Sequence, residues 1–410
     1  MVRAVSVLMK ILWASANFLH PTNKGGQIRT LGMLRQMHKR HEIHYVAFDY
    51  GEPEALERAP EYCTKAYPIP HIRQKRRSAA FALEVGQNLV ASSMPFPVAR
   101  YYSPEMETVI RDLRNADRFD LIVCDFLFPA PNFDRLNECV LFEHNVETMI
   151  WKRHVDAARN AVERAYFRVQ ATRMEEYERK ICRAVKHTVA VSSIDAEKIR
   201  SMFGVTNVSE IGTGVDVEYF TPAVESAPVA DLVFVGSMDW MPNIDGVTFF
   251  VDDILPLIRK ERPDCTVAIV GRTPPPPIAK LPETDAGVLV TGTVPDVRPY
   301  LWGSKVSIVP LRIGSGTRLK IYEAMAARMP VVSTTIGAEG LHVNPPHDIR
   351  IGDTPAEFAT QCLDLLNDAD ARESVGNAAW ELVASKFSWE QVTREFEASL
   401  ETNALTTSRP

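Results

Sequence analysis

The chain has no Cys-x-x-Cys pair. Its six cysteines, at 63, 124, 139, 182, 265 and 362, are scattered along 410 residues. That spacing offers no zinc signature and fits buried free thiols in a reducing compartment. No apolar run approaches the ~18 residues that a bilayer span requires, and no cleavage pattern marks a signal peptide, so the expected location is cytoplasmic. There is no basic excess: 46 Lys and Arg face 52 Asp and Glu, a net charge of −6. Nucleic-acid binders usually show the opposite balance. No repeat of roughly 20–50 residues and no low-complexity tract is visible.

What is present is an ordinary globular composition, 46% apolar and 24% charged, and a length that suggests two or three domains. The chain alternates strand-like and helix-like runs, the signature of parallel α/β sheets. From Met9, MKILWAS opens a first strand (10–16), with residues 1–8 as either an extension ahead of it or an early start. A loop with Gly25–Gly26 leads to a helix (28–39) and a second strand (43–48). Gly25 and Gly26 read either as a ligand loop or as a plain strand-to-helix turn. Strand 120–124 follows a helix at 104–115. The run VLFEHNVE then ends a strand in Glu143, His144, Asn145 and Glu147. Ligands of open parallel sheets bind beyond the carboxyl ends of strands. His144 is therefore a site candidate, although a lone histidine is often structural.

A long helix is expected over 158–185, a strand at 187–191, a helix at 195–203, and a linker at TPAVESAPVA (221–230). The rhythm restarts with strand 232–235, a helix from 243 to 260, and strands 266–270, 288–290, 306–309 and 331–334. Helices at 355–367, 370–384 and 389–400 close the chain. The expected division is residues 1–221 as a first Rossmann-like domain and 222–386 as a second. The amphipathic segment 387–410 should pack back on the first.

The stretch with most chemistry is PLRIGSGTRLKIYEAMA, 310–326. Gly314 and Gly316 let a backbone approach a ligand closely. The helix that follows offers free N–H groups and a positive dipole end. Acids are normally favoured in a first turn, yet Arg318 and Lys320 stand there. A diphosphate held by Gly314, Ser315, Gly316, Thr317, Arg318 and Lys320 would account for them. The alternative is a surface pair of Lys320 and Glu323 with Arg318 solvated. The basic run HIRQKRR (71–77) precedes an apolar-faced segment with Phe81, Leu83, Val85, Leu89 and Val90. Residues 71–91 fit peripheral contact with an anionic inner-membrane face, or simply a solvated face.

Taken in order, Gly25–Gly26, EHN at 143–145, GTGVD at 212–216, the Glu323-Ala-Met-Ala helix and the closing FSW at 387–389 resemble the retaining glycosyltransferases of family 4. The blocks VFVGSMDWMPNIDG (233–246) and TGTVPDVRPYL (291–301) look most like bacterial sugar transferases of exopolysaccharide or protein-sorting systems. The resemblance spans nearly the whole chain. It implies a GT-B architecture, two doubly wound Rossmann-like domains facing across a cleft that closes to assemble the site. It also implies a nucleotide diphosphate sugar donor, such as a UDP- or GDP-sugar, and a glycan, lipid-linked or small-molecule acceptor.

No metal or other cofactor is expected, since no Asp-x-Asp here reads as a manganese site. By resemblance His144 and Glu323 are the catalytic residues, His144 binding the donor sugar near the anomeric carbon and Glu323 holding the ribose; Arg272, Thr293 and Val294 flank the base, and Gly25 and Gly26 approach the diphosphate or acceptor from a first-domain loop site with Glu143 and Asn145. The chain departs from the family pattern twice. Ser315 replaces the first of two glutamates, and Ser237 with Asn243 or Ile244 replaces an Arg and a Lys, so the cations of the diphosphate site are expected from Arg318 and Lys320. A nucleotide-sugar epimerase or hydrolase, and a binding-only member without turnover, are the competing readings.

Overall fold

A computed structural model of the full chain describes residues 8–22, 25–72, 78–156, 158, 160–222, 226–313 and 319–401. The chain forms two compact units. The first comprises residues 1–212 and 392–410, the second residues 213–391. Residues 213–221 and 387–391 thus fall in the second unit.

The first unit is built on seven parallel strands: β1 Lys10–Ser15, β2 Glu42–Asp49, β3 Lys65–Pro70, β4 Leu121–Asp125, β5 Val140–Glu143, β6 His187–Ala190 and β7 Val208–Glu210. Their order is β3-β2-β1-β4-β5-β6-β7. β1, β4 and β5 are buried almost throughout, because helices cover both faces of a parallel sheet. The helices that matter below are α1 Gly25–Met37, α2 Ala79–Ala91, α3 Glu147–Asp156 and α4 Ala161–Ala184. One core layer gathers Leu12, Val46, Ile122, Leu141, Met174 and Ile199.

The second unit has six parallel strands: β8 Ala230–Val235, β9 Val267–Val270, β10 Val288–Val290, β11 Ser304–Val309, β12 Val331–Ser333 and β13 Arg350–Ile351, in the order β10-β9-β8-β11-β12-β13. Helix α5 (Met241–Phe249) follows β8, and α6 (Leu319–Ala326) follows β11. The single helix expected over 243–260 is interrupted. A π turn spans Phe250–Ile254 before a helix over Leu255–Glu261. Pro256 lacks the N–H that an unbroken helix would need there.

The last helix, α7 (Trp389–Leu400), closes the first unit's core. Val392, Phe396 and Leu400 are fully buried. The Phe396 ring lies 6.1 Å from Trp13 and 5.6 Å from Phe142. Arg40 and His41 both reach the Glu397 carboxylate. Among the described residues no helix is long and apolar enough to cross a membrane.

Candidate functional site

Each sheet reverses its winding direction at one place, between β1 and β4 in the first unit and between β8 and β11 in the second. Helices crossing to opposite faces leave a crevice there at the carboxyl ends of the strands. Polar residues from several separate segments converge on each crevice.

In the first unit Asp125 ends β4 and His144 follows β5, two adjacent strands. His144 Nε2 lies 2.7 Å from Asp125 Oδ1, and Arg29 Nη1 lies 3.1 Å from His144 Nδ1. A guanidinium can only donate, so Nδ1 accepts and Nε2 carries the proton given to Asp125. Thr30 donates its hydroxyl to the second carboxylate oxygen at 3.0 Å. All four side chains are buried. Burial lowers the His144 pKa, keeping the ring neutral, and lowers that of Arg29 to about 10.

The Phe126 ring stacks on His144 at 4.0 Å and 5°. Phe126 holds a left-handed backbone, φ 71°, a strained choice for a residue without a compensating hydrogen-bonding side chain. Gly26 lies in the first turn of α1, not in a loop before it. A Cβ there would sit 2.7 Å from the Phe126 ring, which explains the glycine. A cavity of about 150 Å³ opens beside the group, lined by Ser15, Gln27, Thr30, Asp125, Phe126 and Phe128 among others.

Neither His144 nitrogen is left for a sugar hydroxyl in this conformation; Asp125 and Thr30 are the hydrogen-bonding members of the network that border the cavity. Glu143 points inward. Both its oxygens are buried without a hydrogen-bond partner, and burial raises its pKa well above the usual carboxylate range. Glu178 from α4 caps α3, accepting from the N–H groups of Glu147 (2.9 Å) and Thr148 (2.8 Å). Burial lifts Glu147 to about 8 and Glu178 to about 7. Asn145 is half-buried and Gly25 exposed.

In the second unit α6 is anchored by its buried stripe, Ile321, Tyr322, Ala324 and Met325. The Tyr322 ring stacks on Phe387 at 4.6 Å. The opposite stripe carries Lys320 and Glu323, three residues apart. Lys320 Nζ donates to Asn243 Oδ1 at 2.6 Å, and Asn243 Nδ2 donates to the Ser237 carbonyl at 2.7 Å. The ammonium lies 4.5 Å from the centre of the Phe234 ring, a cation–π distance. Gly236 makes room for it: a Cβ there would lie 2.7 Å from Nζ. Burial raises the Glu323 carboxyl to about 7, and the Lys320 charge pulls it partly back.

Arg272, at the end of β9, is exposed; it pairs with Asp239 at 3.2 Å and donates to Ser237 Oγ at 3.0 Å. Thr293 is exposed and Val294 half-buried, just beyond β10. Gly314, Ser315, Gly316, Thr317 and Arg318 lie outside the described residues. Among the described residues no three His, Cys, Asp or Glu side chains converge as a metal site.

Sequence reasoning missed Asp125, Arg29, Phe126 and Asn243 as partners. The available signals were a carboxylate closing an apolar strand at Asp125 and an arginine three residues after Gly26. Their convergence depends on strand order, which spacing does not reveal.

Two doubly wound parallel units are the architecture of the GT-B fold, and two glycosyltransferase family models, one matching each unit, mark the chain as a glycosyltransferase. Residues 24–219 match the family model described as Glycosyltransferase Family 4, and residues 230–368 match that described as Glycosyl transferases group 1. A relative from Klebsiella pneumoniae, an uncharacterized 44.6 kDa protein in the cps region, is 20% identical over 403 residues, covering 94% of this chain and 98% of its own. Sucrose-phosphate synthase from Thermosynechococcus elongatus has a similar structure, with TM-score 0.67 and 16% identity, covering 98% of this chain and all of that one. Anabaena HepE in complex with UDP and glucose has TM-score 0.62 and 12% identity, covering 96% of this chain and all of that one. At these identities the two structures share a fold with this chain.

Proposed function

We propose that the protein is a retaining glycosyltransferase, moving a sugar from a nucleotide diphosphate sugar, such as a UDP- or GDP-sugar, to a hydroxyl of a glycan, lipid-linked or small-molecule acceptor. The observation that carries this reading is the Lys320–Asn243 pair at the β8/β11 reversal point. It is a fixed ammonium beside Gly236, where the family pattern has its own cations after β8.

In the proposed reaction the bond between the anomeric carbon and the β-phosphate oxygen breaks. The acceptor oxygen bonds to the anomeric carbon on the same face, and its proton leaves with the nucleoside diphosphate. Charge grows on the departing diphosphate, so cations preorganised for it lower the barrier. Lys320 supplies one, and Arg318 and residues 314–317, which precede it in the sequence, are proposed to add to it. No metal is needed in this scheme.

Glu323 receives the ribose hydroxyls, and Arg272, Thr293 and Val294 border the base. In the first unit Asp125 borders the cavity and is the carboxylate offered there, and His144 is a positioning residue that fixes Asp125 and Arg29. Gly26 lets Phe126 cover that network, while Gly25, Glu143 and Asn145 shape its surroundings. The family 4 match over residues 24–219 supports the retaining outcome, and the UDP in the HepE complex supports the donor class.

A thermal-shift screen against nucleotides and nucleotide sugars tests the reading, because a ligand that prefers the native state raises its melting temperature. Stabilisation by a nucleoside diphosphate and its sugar is expected to exceed that by the bare nucleoside, and it should survive EDTA. Product anomeric configuration by NMR then tests retention. Flat melting curves across the panel refute the assignment.

A further inference from the structure

Arg272 stands two residues beyond β9, yet its guanidinium turns to the loop that follows β8. Nε donates to Ser237 Oγ at 3.0 Å, and Nη2 lies 3.2 Å from Asp239 Oδ2. Ser237 in turn donates its hydroxyl to Asp239. That bond, together with the Arg272 charge, holds the Asp239 carboxyl below its usual range, so it is a carboxylate at neutral pH.

The backbone fixes this placement. The Met238 N–H bonds the Arg272 carbonyl at 2.9 Å, and the Gly236 N–H bonds that of Val270 at 2.9 Å. The two loops lie so close that a Cβ on Gly271 would fall 1.9 Å from the Gly236 carbonyl oxygen. Gly236 is also the residue that makes room for Lys320. Ser237 then links the two cations. Its carbonyl accepts from Asn243, the residue that takes the Lys320 ammonium, and its hydroxyl oxygen takes Arg272. Lys320, Asn243, Ser237, Arg272 and Asp239 thus form one chain of polar contacts from α6 to the end of β9.

The chain carries two cations and one ionised acid. The next acid along, Asp245, is taken by Arg312 at 2.7 Å. Arg272 and Asp239 are both exposed, and exposed ion pairs contribute little, so parting them costs little. A diphosphate offers the same guanidinium more charge, and paired oxygens that its fork fits.

We infer that Arg272 is a second cation for the donor diphosphate and that Asp239 is its placeholder. The carboxylate aims the guanidinium at the crevice while the donor is absent and yields it to a phosphate oxygen when the donor binds. This assignment rests on the donor site proposed above. Arg272 touches the ligand; Asp239 is a positioning residue that acts through it.

Calorimetric titration of the full chain with inorganic pyrophosphate, UDP, GDP, uridine and guanosine tests both roles. Arg272→Gln should lower the affinity for pyrophosphate and for the nucleoside diphosphate about tenfold, and leave the bare nucleosides within about twofold. Arg272→Lys should recover part of the loss. In Asp239→Asn an amide oxygen still holds the guanidinium but the competing charge is gone. Diphosphate affinity should therefore rise about fivefold, the repulsion between a carboxylate and a phosphate charge about 4 Å apart in a water-like medium. A merely structural Asp239 would give a loss instead. The melting temperature of each variant should stay unchanged, because both sites are exposed. Unchanged pyrophosphate affinity in Arg272→Gln, or an equal loss for the bare nucleoside, overturns the role of Arg272. Weaker diphosphate binding in Asp239→Asn, or binding that requires magnesium and is abolished by that variant, overturns the placeholder. Lys320→Met is the reference. A loss of pyrophosphate there with none in Arg272→Gln overturns this inference and leaves the donor site standing, whereas a wild type that binds neither UDP, GDP nor pyrophosphate overturns both.

Discussion

Replacing Lys320 by Met isolates one charge. Methionine keeps an unbranched stem against the Phe234 ring and removes the ammonium 2.6 Å from Asn243 Oδ1. A phosphate oxygen about 4 Å from that ammonium gains about 4 kcal/mol at an effective dielectric constant near 20. Partial desolvation of both ions and weakening of the Asn243 bond offset about half, leaving about 2 kcal/mol, or about 30-fold in affinity. Calorimetric titration with UDP or GDP should show that loss, while binding of the bare nucleoside changes less than about twofold. The variant has a second signature. The Lys320 charge holds the Glu323 carboxyl down, so its removal should move the Glu323 titration upward from about 7. Equal losses for nucleoside and nucleoside diphosphate, or an unchanged diphosphate affinity, would refute the phosphate role.

Glu323→Gln should weaken nucleosides bearing a ribose more than pyrophosphate, measured in the same titrations. Burial raises the Glu323 pKa from 4.5 to about 7; the native state therefore holds a proton that the unfolded chain has already lost. This stabilising contribution is complete below about pH 4.5 and disappears as pH rises to about 7. Calorimetric melting of the wild type should decline across that window more steeply than that of Glu323→Gln. Glu178→Ala strips the caps from Glu147 and Thr148 and should cost about 2 kcal/mol in denaturant unfolding. Gly26→Ala should displace the Phe126 ring and reduce turnover at least tenfold, with little change in melting temperature, because alanine also favours the helix by up to ~1 kcal/mol.

Most of the fold was legible because buried parallel strands are short apolar runs. KILWAS, LVFV and VLV announce themselves without context. β3 was missed for a reason: Lys65–Pro70 reads KAYPIP, and its two prolines are tolerated only because it is the sheet edge. The helix expected over 158–185 is α4, but α3 ahead of it was not foreseen: Glu147–Asp156 takes its N-terminal cap from distant Glu178, which the local sequence does not reveal. At the sites, polar residues closing apolar strands marked both crevices. The roles inside them depended on neighbours. His144 stands out in VLFEHNVE, yet only the pairing of β4 with β5 supplies Asp125, which together with Arg29 occupies both of its nitrogens.

The way α7 completes the first core bears on how the protein is made. Trp13 and Phe142 belong to the earliest third or so of the sequence, yet the phenylalanine that packs on them is residue 396. While the ribosome is still adding the second unit, those two rings have no cover from that side. The second unit has all its strands, and its two ends already meet where the Val215 N–H bonds the Phe387 carbonyl at 2.7 Å. Domains generally fold as units during synthesis. The later-born unit therefore becomes native before the earlier one is sealed, and a nascent chain stalled near residue 390 should depend on chaperones at its N-terminal half.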